Sequence, residues 1–367
     1  MATMGHEQIV YLDDHAAGLH AVIAIHSTAL GPALGGVRFL HYAQPADAVL
    51  DVLRLSAAMT YKAAVAGLHQ GGGKAVVHWS QPDRPRPPEL LRALGRAIDE
   101  LGGRYLAAED VGATPADMNA LARETPWVTG VDESIGGSGD PSPVTAVGVL
   151  HGMRATCAEL DGDASVRGRR VVVQGVGHVG AHLVRLLVAD GASVVVSDVD
   201  PRRADVLARE LGVATVGADV VIEQECDLLA PCALGGVIDD VTIPRLQCRA
   251  IVGAANNQLE GPGADRVIAE RGILYAPDFV VNAGGIINIA EEFTGYDRAR
   301  ALTSVARIEA TTAHVFALAR EQQITPLRAA ERLARQRIEQ EGSPRRWEPG
   351  DPAAWTAGEP LRHLRVV

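Results

Sequence analysis

Two lysines are the side chains in this sequence whose type and setting best suit proton transfer. Lys62 and Lys74 are the only lysines of the chain, and Lys74 directly follows three glycines. Because glycine has no side chain, a lysine on a glycine turn can come close to a bound molecule. Partial burial also lowers the pKa of a lysine toward neutrality, which suits acid–base chemistry. The setting favours a catalytic role for both lysines over the ordinary surface position.

An acidic pair, Glu109-Asp110, follows the apolar run 105–108 and precedes Gly112. Such a carboxylate can stand at the end of a strand and face a ligand. The same spacing is equally typical of a helix cap or a turn. The sequence alone therefore leaves the role of this pair open.

A glycine motif in the second half of the chain indicates dinucleotide binding. Residues 175–180 read G-x-G-x-x-G, come just after the valines at 171–173 and open a predicted helix. Gly175 allows a tight turn, Gly177 lets a pyrophosphate approach the backbone, and Gly180 lets the helix pack on the strand. The helix N-terminus adds free N–H groups and partial positive charge for the phosphates. The surrounding βαβ pattern disfavours the alternative, a strand-to-helix turn without a ligand.

Asp198 ends the next predicted strand, roughly 20 residues after the motif, at the place of the residue that binds the adenosine ribose. A carboxylate there accepts hydrogen bonds from the ribose and repels a 2′-phosphate. The sequence therefore predicts NAD and disfavours NADP, although the nearby Arg202 and Arg203 weaken this preference slightly.

The hydrophobic pattern predicts the elements that must position these groups. Predicted strands are 19–26, 171–173, 193–196, 226–230, 250–253 and 274–276, and predicted helices are 46–59, 89–101, 145–160 and 181–189. From Arg169 onward strands alternate with helices, which implies a parallel sheet with right-handed crossovers. Glycine, serine and proline at 136–143 form the strongest break in the chain, so we expect a domain boundary there.

Composition excludes several classes of function. The formal net charge of −11 disfavours nucleic acid as a partner. No apolar run approaches the ~20 residues of a membrane helix, and no secretory segment is recognisable at the N-terminus, so we expect a cytoplasmic protein. The cysteines form no Cys-x-x-Cys pair and have no zinc-ligand spacing to histidine, so they are expected to be small core residues and no metal site is predicted.

Taken together, the ordered motifs resemble the glutamate/leucine/phenylalanine/valine dehydrogenase family, and most closely its valine and leucine branch. The segments that carry this resemblance are 31–36, 59–62, 71–74, 108–112, 137–145, 175–180, 230–236, 253–257 and 275–285. They occur in the family's order and extend over about residues 6–340, which makes the resemblance specific. The segment after Gly342 lies outside it.

The resemblance implies an α/β fold with two domains and a cleft between them. An N-terminal α/β substrate domain is expected over residues 1–136, and a Rossmann-like, doubly wound NAD-binding domain over 137–325. A helix at 326–345 is expected to return to the first domain, and residues 346–367 form a tail. Members of the family form homo-oligomers, so we expect a homo-oligomer here.

The resemblance also implies roles for individual residues. Lys62 would pair with the substrate carboxylate, Lys74 would polarise the carbonyl or activate the attacking water, and Asp110 would move a proton to and from the amino group. The implied substrate-binding set is Lys62, Leu34, Gly35, Ala108, Asn256, Asn282, Ile286 and Ile289. The implied cofactor-binding set is Thr145, Gly175, Gly177, His178, Val179, Gly180, Asp198, Cys232, Ala233 and Asn256.

The implied side-chain pocket is lined by Leu34, Ala108, Ile286 and Ile289, which are aliphatic or small and carry no charge. A glutamate substrate would require a cation there. We therefore predict valine, leucine or isoleucine as substrate, with overlap between them, since one methylene changes binding by only ~1–3 kcal/mol. Alternatively, these isoleucines only pack the core.

The predicted reaction is the reversible, NAD-dependent oxidative deamination of a branched-chain L-amino acid to its 2-oxo acid, ammonium and NADH. Three alternatives stay open at this point. The chain could act on phenylalanine or glutamate, within the same family. It could be a non-catalytic sensor of NAD or amino acids, or an unrelated reductase of 2-oxo acids that uses no ammonia.

Overall fold

From residue 170 onward, strands alternate with helices as predicted, whereas the strands at 8–14 and 33–40 were not predicted. The computed structural model describes residues 5–81, 84–261 and 263–342. The strands are β1 (Gln8–Asp14), β2 (Leu19–Ser27), β3 (Ala33–Leu40), β4 (Gly71–His78), β5 (Tyr105–Glu109), β6 (Arg170–Gln174), β7 (Ser193–Ser197), β8 (Ala214–Thr215), β9 (Cys226–Pro231), β10 (Cys248–Ile251) and β11 (Leu274–Tyr275). The α-helices are α1 (Pro45–Val65), α2 (Pro88–Asp99), α3 (Pro115–Leu121), α4 (Ser142–Asp161), α5 (His178–Ala189), α6 (Pro201–Leu211), α7 (Ala264–Glu270), α8 (Asp278–Val281), α9 (Gly284–Ala290), α10 (Arg298–Gln322) and α11 (Pro326–Glu341).

These elements form two compact units. Among the described residues, the first unit comprises 5–140, 286–301 and 334–342, and the second comprises 141–285 and 302–333. The first boundary thus lies four residues beyond the predicted one (140 rather than 136), and the segment 286–301, which we expected in the NAD-binding domain, lies in the first unit. The return of the chain falls within α11, at residue 334. The predicted tail, 346–367, lies outside the described residues.

Two sets of hydrogen bonds explain why the chain re-enters the first unit. The carboxylate of Glu292 accepts bonds from the backbone N–H groups of Gly130 (3.1 Å) and Ser138 (2.9 Å). Arg337 on α11 donates through Nη1 to the carbonyl of Ala64 (2.9 Å), at the end of α1. Both contacts join residues that are distant in sequence, so neither is visible in a local pattern.

The sheet of the first unit is mixed and has five strands in the order β1-β2-β4-β3-β5. β1 and β4 each run antiparallel to β2, whereas β3 runs parallel to β4 and β5. Helix α1 packs on this sheet through a core that includes Val22, Val52 and Val76. The helix begins at a proline, which is preorganised for the first turn. It continues beyond the predicted end at residue 59 because no breaker precedes Gly67, and it therefore includes Lys62.

One prediction about this sheet is wrong. The three glycines before Lys74 do not form a turn but lie inside strand β4. A Cβ on Gly72 would lie 2.1 Å from the backbone nitrogen of Thr60 on α1, and a Cβ on Gly71 would lie 1.9 Å from the carbonyl oxygen of Ser27. The glycines are needed because neighbouring backbone comes too close for a side chain.

The second unit contains a six-stranded sheet in the order β11-β10-β9-β6-β7-β8, with all strands parallel. The valines of β6 are buried on both faces, as expected for a central parallel strand. The strand order changes direction between β6 and β9, which is the place where ligands bind in open α/β sheets. This arrangement confirms the predicted Rossmann-like, doubly wound architecture.

Two further expectations concern burial. Cys157, Cys226 and Cys248 are buried and Cys232 is partly buried, and all four are free thiols, as predicted for small core residues. Among the described residues no helix is long and apolar enough to span a membrane.

Candidate active site

The sheet of the first unit brings Lys74 and Asp110 together. Lys74 lies on β4, Asp110 directly follows β5, and both strands flank β3. Lys74 Nζ is 2.8 Å from Asp110 Oδ2, and the exposed fractions of the two side chains are 5% and 16%. Thr114 and Asp117, rather than this pair, cap helix α3. The structure therefore supports the strand-end reading of Asp110 over the helix-cap reading.

A third charged residue, Arg38, completes this cluster, and the sequence analysis missed it. Arg38 lies on β3, between the strands of the other two, and its Nε is 2.9 Å from the same Asp110 Oδ2. Its Nη1 is 3.0 Å from Asp51 Oδ2 on α1, and the Tyr42 hydroxyl donates to that oxygen at 2.6 Å. The sequence feature that could have indicated Arg38 is its position as an arginine within an otherwise apolar strand. Because buried charges are nearly always paired, such an arginine predicts a nearby carboxylate.

The cluster changes the proton affinities of its members. Burial, the largest influence, lowers the pKa of Lys74, and the charge of Arg38 lowers it further while Asp110 opposes both. Burial on its own would raise the pKa of Asp110, but Lys74 and Arg38 outweigh it and hold this pKa at about 2. Asp110 is therefore ionised at neutral pH, and Lys74 releases its proton more readily than an ordinary lysine.

The neighbour of Asp110 behaves differently. Burial raises the pKa of Glu109 to about 7, and the carboxylates of Asp140, Asp117 and Asp110 add to this effect. No described residue forms an ion pair or hydrogen bond with the Glu109 side chain. The environment thus raises the pKa of Glu109 and lowers that of Asp110.

The other predicted substrate-binding residues of this unit lie on α1, β3, β5 and α9. Lys62 is half-buried in the last turn of α1, two residues beyond Thr60, which touches Gly72 of β4. Leu34 on β3 and Ala108 on β5 are buried, as are Ile286 and Ile289 on α9. A Cβ on Gly35 would lie 1.8 Å from the Gly73 carbonyl oxygen, so this position admits only glycine.

In the second unit, the glycine motif lies between β6 and α5 at the carboxyl edge of the sheet. Gly175 has a φ of +93°, and its Cβ would lie 2.7 Å from the Cβ of Ala233. A Cβ on Gly180 would lie 2.0 Å from the Gly175 carbonyl oxygen. At Gly177, by contrast, a Cβ would meet nothing within 4 Å. Neighbouring atoms therefore leave no space for a side chain at Gly175 and Gly180, whereas the space beside Gly177, which a pyrophosphate must approach, is free. His178 and Val179 form the start of α5 next to this glycine.

Asp198 follows β7 and stabilises the glycine loop through hydrogen bonds. Its Oδ2 accepts a hydrogen bond from the backbone N–H of Val176, and its Oδ1 accepts one from Asp200, both at 2.9 Å. A carboxylate has about four acceptor positions, so capacity is left for ribose hydroxyls. Arg202 pairs with Asp200 through Nε at 3.0 Å. Because the Arg202 side chain is largely exposed, this pair is a surface interaction and does not by itself decide between NAD and NADP.

Two further loops complete this edge of the sheet. The backbone N–H of Cys232 donates to the Gln174 carbonyl at 2.7 Å, which fixes the loop after β9. Asn282 donates through Nδ2 to Asn256 Oδ1 at 2.8 Å. A Cβ on Gly285 would lie 2.7 Å from the Thr145 hydroxyl oxygen, so Thr145 also lies near this segment.

Among the described residues of this unit, four buried side-chain polar atoms have no hydrogen-bond partner: Gln174 Oε1, Ser197 Oγ, Gln258 Oε1 and Asn282 Oδ1. Gln174 and Ser197 end β6 and β7, where the dinucleotide is expected. Unpaired buried polar atoms are rare in proteins, and such atoms commonly face a bound ligand or water. Together with the open side of Gly177, they fit the binding of a dinucleotide at this edge.

Comparison with known proteins places these features in a family. The family model described as the Glu/Leu/Phe/Val dehydrogenase dimerisation domain matches residues 6–127. The model described as glutamate/leucine/phenylalanine/valine dehydrogenase matches residues 136–202 and 202–343. The chain is 50% identical to valine dehydrogenase of Streptomyces virginiae over 337 residues, covering 91% of this chain and 94% of that protein.

Two more relatives extend the comparison. Leucine dehydrogenase of Thermoactinomyces intermedius is 47% identical over 339 residues, covering 92% of each chain. The crystal structure of L-tryptophan dehydrogenase from Nostoc punctiforme superimposes with a TM-score of 0.80 at 41% identity, covering 92% of this chain and 97% of that one.

Proposed function

Because the chain belongs to the glutamate/leucine/phenylalanine/valine dehydrogenase family, we propose that it oxidatively deaminates a branched-chain L-amino acid with NAD. The products are the 2-oxo acid, ammonium and NADH, and the reaction is reversible. The observation that carries this proposal is the buried contact of 2.8 Å between Lys74 and Asp110, which supplies one acid and one base at a single place.

The residues of the first unit act on the amino acid. Lys62 binds the substrate carboxylate as a counter-charge. Asp110, ionised in the cluster, accepts a proton from the substrate amino group, which leaves a free electron pair on nitrogen. When bound, NAD would supply the acceptor for the hydride of Cα, and loss of that hydride converts the deprotonated amine to an imine.

Lys74 serves the hydrolytic half of the reaction. In its neutral form it accepts a proton from the water that attacks the imine carbon. In its charged form it stabilises the negative charge that develops on oxygen. Asp110 then returns a proton to the departing ammonia. The lowered pKa of Lys74 suits this alternation between charged and neutral forms.

The residues of the second unit hold the cofactor. The pyrophosphate would lie over Gly177 and the N-terminus of α5, and the ribose hydroxyls would reach Asp198. Asn256, Asn282 and Thr145 would surround the nicotinamide, with Cys232 and Ala233 forming the opposite loop. The carboxylate of Asp198, which keeps acceptor positions for the ribose hydroxyls, supports NAD over NADP.

The substrate preference rests on the lining of the side-chain pocket. Leu34, Ala108, Ile286 and Ile289 are buried and uncharged, which suits valine, leucine or isoleucine and disfavours glutamate. Relatives named valine and leucine dehydrogenase point to the same class. Since the first unit matches a dimerisation domain, we also propose that the protein forms a homo-oligomer.

The proposal is tested by NADH formation at alkaline pH from L-valine, L-leucine, L-isoleucine, L-phenylalanine and L-glutamate, with NADP assayed in parallel. We expect activity with the three aliphatic substrates and NAD. Ammonium dependence of the reverse reaction separates this enzyme from a simple 2-oxo acid reductase. Intact NAD binding without turnover of any amino acid would instead identify a sensor.

A further inference from the structure

Arg38 contacts Asp110 but is not one of the proposed reacting groups. Resting on the function proposed above, we infer that Arg38 is a positioning residue that turns the Asp110 carboxylate so that one oxygen faces Lys74 and the other stays open for the substrate amine. It touches neither substrate nor cofactor in this role. It acts through Asp110 and is itself held by Asp51.

The hydrogen bonds of Asp110 are divided unequally between its two oxygens. Oδ2 receives both Lys74 Nζ (2.8 Å) and Arg38 Nε (2.9 Å). Oδ1 has no hydrogen-bond partner among the described residues, and it is not fully buried. The carboxylate is thus fixed through one oxygen while the other keeps contact with the surroundings, as an acceptor of a substrate proton requires.

The orientation of Arg38 is itself determined by a second carboxylate. Arg38 Nη1 lies 3.0 Å from Asp51 Oδ2, so the planar guanidinium spans Asp110 and Asp51. The Tyr42 hydroxyl donates to the same Asp51 oxygen at 2.6 Å, and burial together with this bond raises the pKa of Tyr42, so it remains a donor. A lysine could not replace Arg38 here, because one ammonium lacks the rigid fork that reaches two carboxylates.

The same geometry couples Arg38 to the proton affinity of Lys74. The charged and titratable groups that act on Lys74 include Asp110, Arg38 and Asp51. The charge of Arg38 lowers the pKa of Lys74, whereas that of Asp51 raises it. Removing either group should therefore move the pH at which Lys74 loses its proton, and the two removals should move it in opposite directions.

The test compares the pH dependence of kcat and kcat/KM for oxidative deamination in Arg38→Gln, Arg38→Lys and Asp51→Asn, with exposed Arg54→Gln on α1 as control. We expect Arg38→Gln to lower kcat about 10–100-fold, as for other residues that orient a reacting ligand, with little change in KM. Its acid limb should shift to higher pH and that of Asp51→Asn to lower pH. Arg38→Lys should keep the pH profile but not recover kcat.

Parallel shifts in Arg38→Gln and Asp51→Asn, or a wild-type kcat and profile in Arg38→Gln, would overturn the positioning role. NAD affinity and circular dichroism of each variant show whether the fold is intact, and Tyr42→Phe tests the same chain of contacts without removing a charge. An inactive wild-type protein would refute the proposed function instead, so the two failures are distinguishable.

A separate inference concerns the hairpin between β1 and β2. We propose that Asp13, His15 and His20 bind one divalent transition-metal ion such as Zn²⁺. Asp13 and His20 are paired across the two strands, and Asp13 Oδ1 is 2.7 Å from His20 Nδ1. His15 Nε2 is 3.6 Å from Asp13 Oδ2, and one ligand atom from each of the three residues lies within 4.8 Å of the others.

The spacing of the two imidazole rings suits a shared ion. Their centroids are 5.4 Å apart, and two imidazoles bound to one tetrahedral Zn²⁺ at ~2.0–2.1 Å have centroids about 5 Å apart. The turn that carries His15 is ordered, because Asp14 Oδ1 accepts bonds from the N–H groups of Ala16 and Ala17 at 3.0 Å. All three ligands are exposed, so an ion can enter without any opening of the fold.

Equilibrium dialysis of the full chain against micromolar Zn²⁺ tests this site. We expect one ion per chain, with affinity reduced at least about tenfold in the double variant His15→Asn/His20→Asn and unchanged in His314→Asn, an exposed histidine on α10. No binding by the wild-type chain, or equal binding by the double variant, would overturn the proposal.

Discussion

Lys74 lies on strand β4 and Asp110 directly follows strand β5 of the same sheet, yet their charged atoms lie 2.8 Å apart with little exposure to solvent. A buried ion pair is weak evidence for stability, because desolvation offsets much of the attraction. The pair is better explained by chemistry, since it holds a proton donor and a proton acceptor beside each other in a setting that lowers both pKa values.

Replacing Lys74 with alanine should reduce kcat by about 10²–10⁴-fold, the range for the loss of a general acid–base group. NAD binding should be unchanged, because the dinucleotide motif belongs to the other unit. Initial rates of NADH formation and calorimetric titration with NAD separate the two effects. Near-normal turnover in this variant would remove Lys74 from the mechanism.

Two of the motif glycines should respond differently to alanine. Gly177→Ala should fold normally, since a Cβ there meets nothing within 4 Å, but it should weaken NAD binding by placing a methyl group where the pyrophosphate approaches. Gly180→Ala should lower the Tm, because its Cβ would lie 2.0 Å from the Gly175 carbonyl oxygen. Thermal unfolding and NAD titration of both variants check this contrast. Weakened NAD binding in neither variant would argue against this loop as the cofactor site.

Asp198→Ala should weaken NAD binding and relax the rejection of NADP, because it removes both the ribose acceptor and the negative charge that repels a 2′-phosphate. Asp205→Ala on α6 is a matched control for the loss of one surface charge near this site. The measurement is kcat/KM with each cofactor. An unchanged cofactor ratio would show that Asp198 does not recognise the ribose.

Ile289→Ala should enlarge the side-chain pocket and shift the preference from valine toward leucine or phenylalanine. The change in relative kcat/KM should correspond to ~1–3 kcal/mol, or roughly 10-fold and more. Substrate profiling of this variant, together with its Tm, distinguishes a pocket residue from one that only packs the core. Lower stability with an unchanged substrate profile would support the core reading.

Glu109→Gln should stabilise the fold at alkaline pH. The pKa of Glu109 in the folded state is about 7, above its ordinary value of 4.5, so the fold favours the neutral form. Wild-type stability should accordingly fall as pH rises from 4.5 through 7, and glutamine, which is always neutral, avoids this loss. Urea unfolding at pH 5 and pH 8 measures this loss of stability. The wild type and Glu109→Gln should differ mainly at pH 8. Equal midpoints at pH 8 would contradict the assigned environment.

Much of the second unit was determined by the sequence itself. The strand, glycine loop and helix around residues 171–189 are contiguous, so their β-branched run, glycine spacing and helical periodicity are all local signals. The order of the motifs along the chain is likewise a property of the sequence alone, and it indicates the family.

Other features depended on tertiary structure because they join residues far apart in the chain. Glycines usually indicate turns, but those before Lys74 lie in a strand, since α1 and neighbouring backbone leave no space for a Cβ. Arg38 joins the cluster only because β3 lies between β4 and β5 in the sheet. The return of residues 286–301 to the first unit depends on the Glu292 contacts with Gly130 and Ser138. Sequence periodicity reports local conformation and burial, whereas strand order and charge pairing arise only when the whole chain is packed.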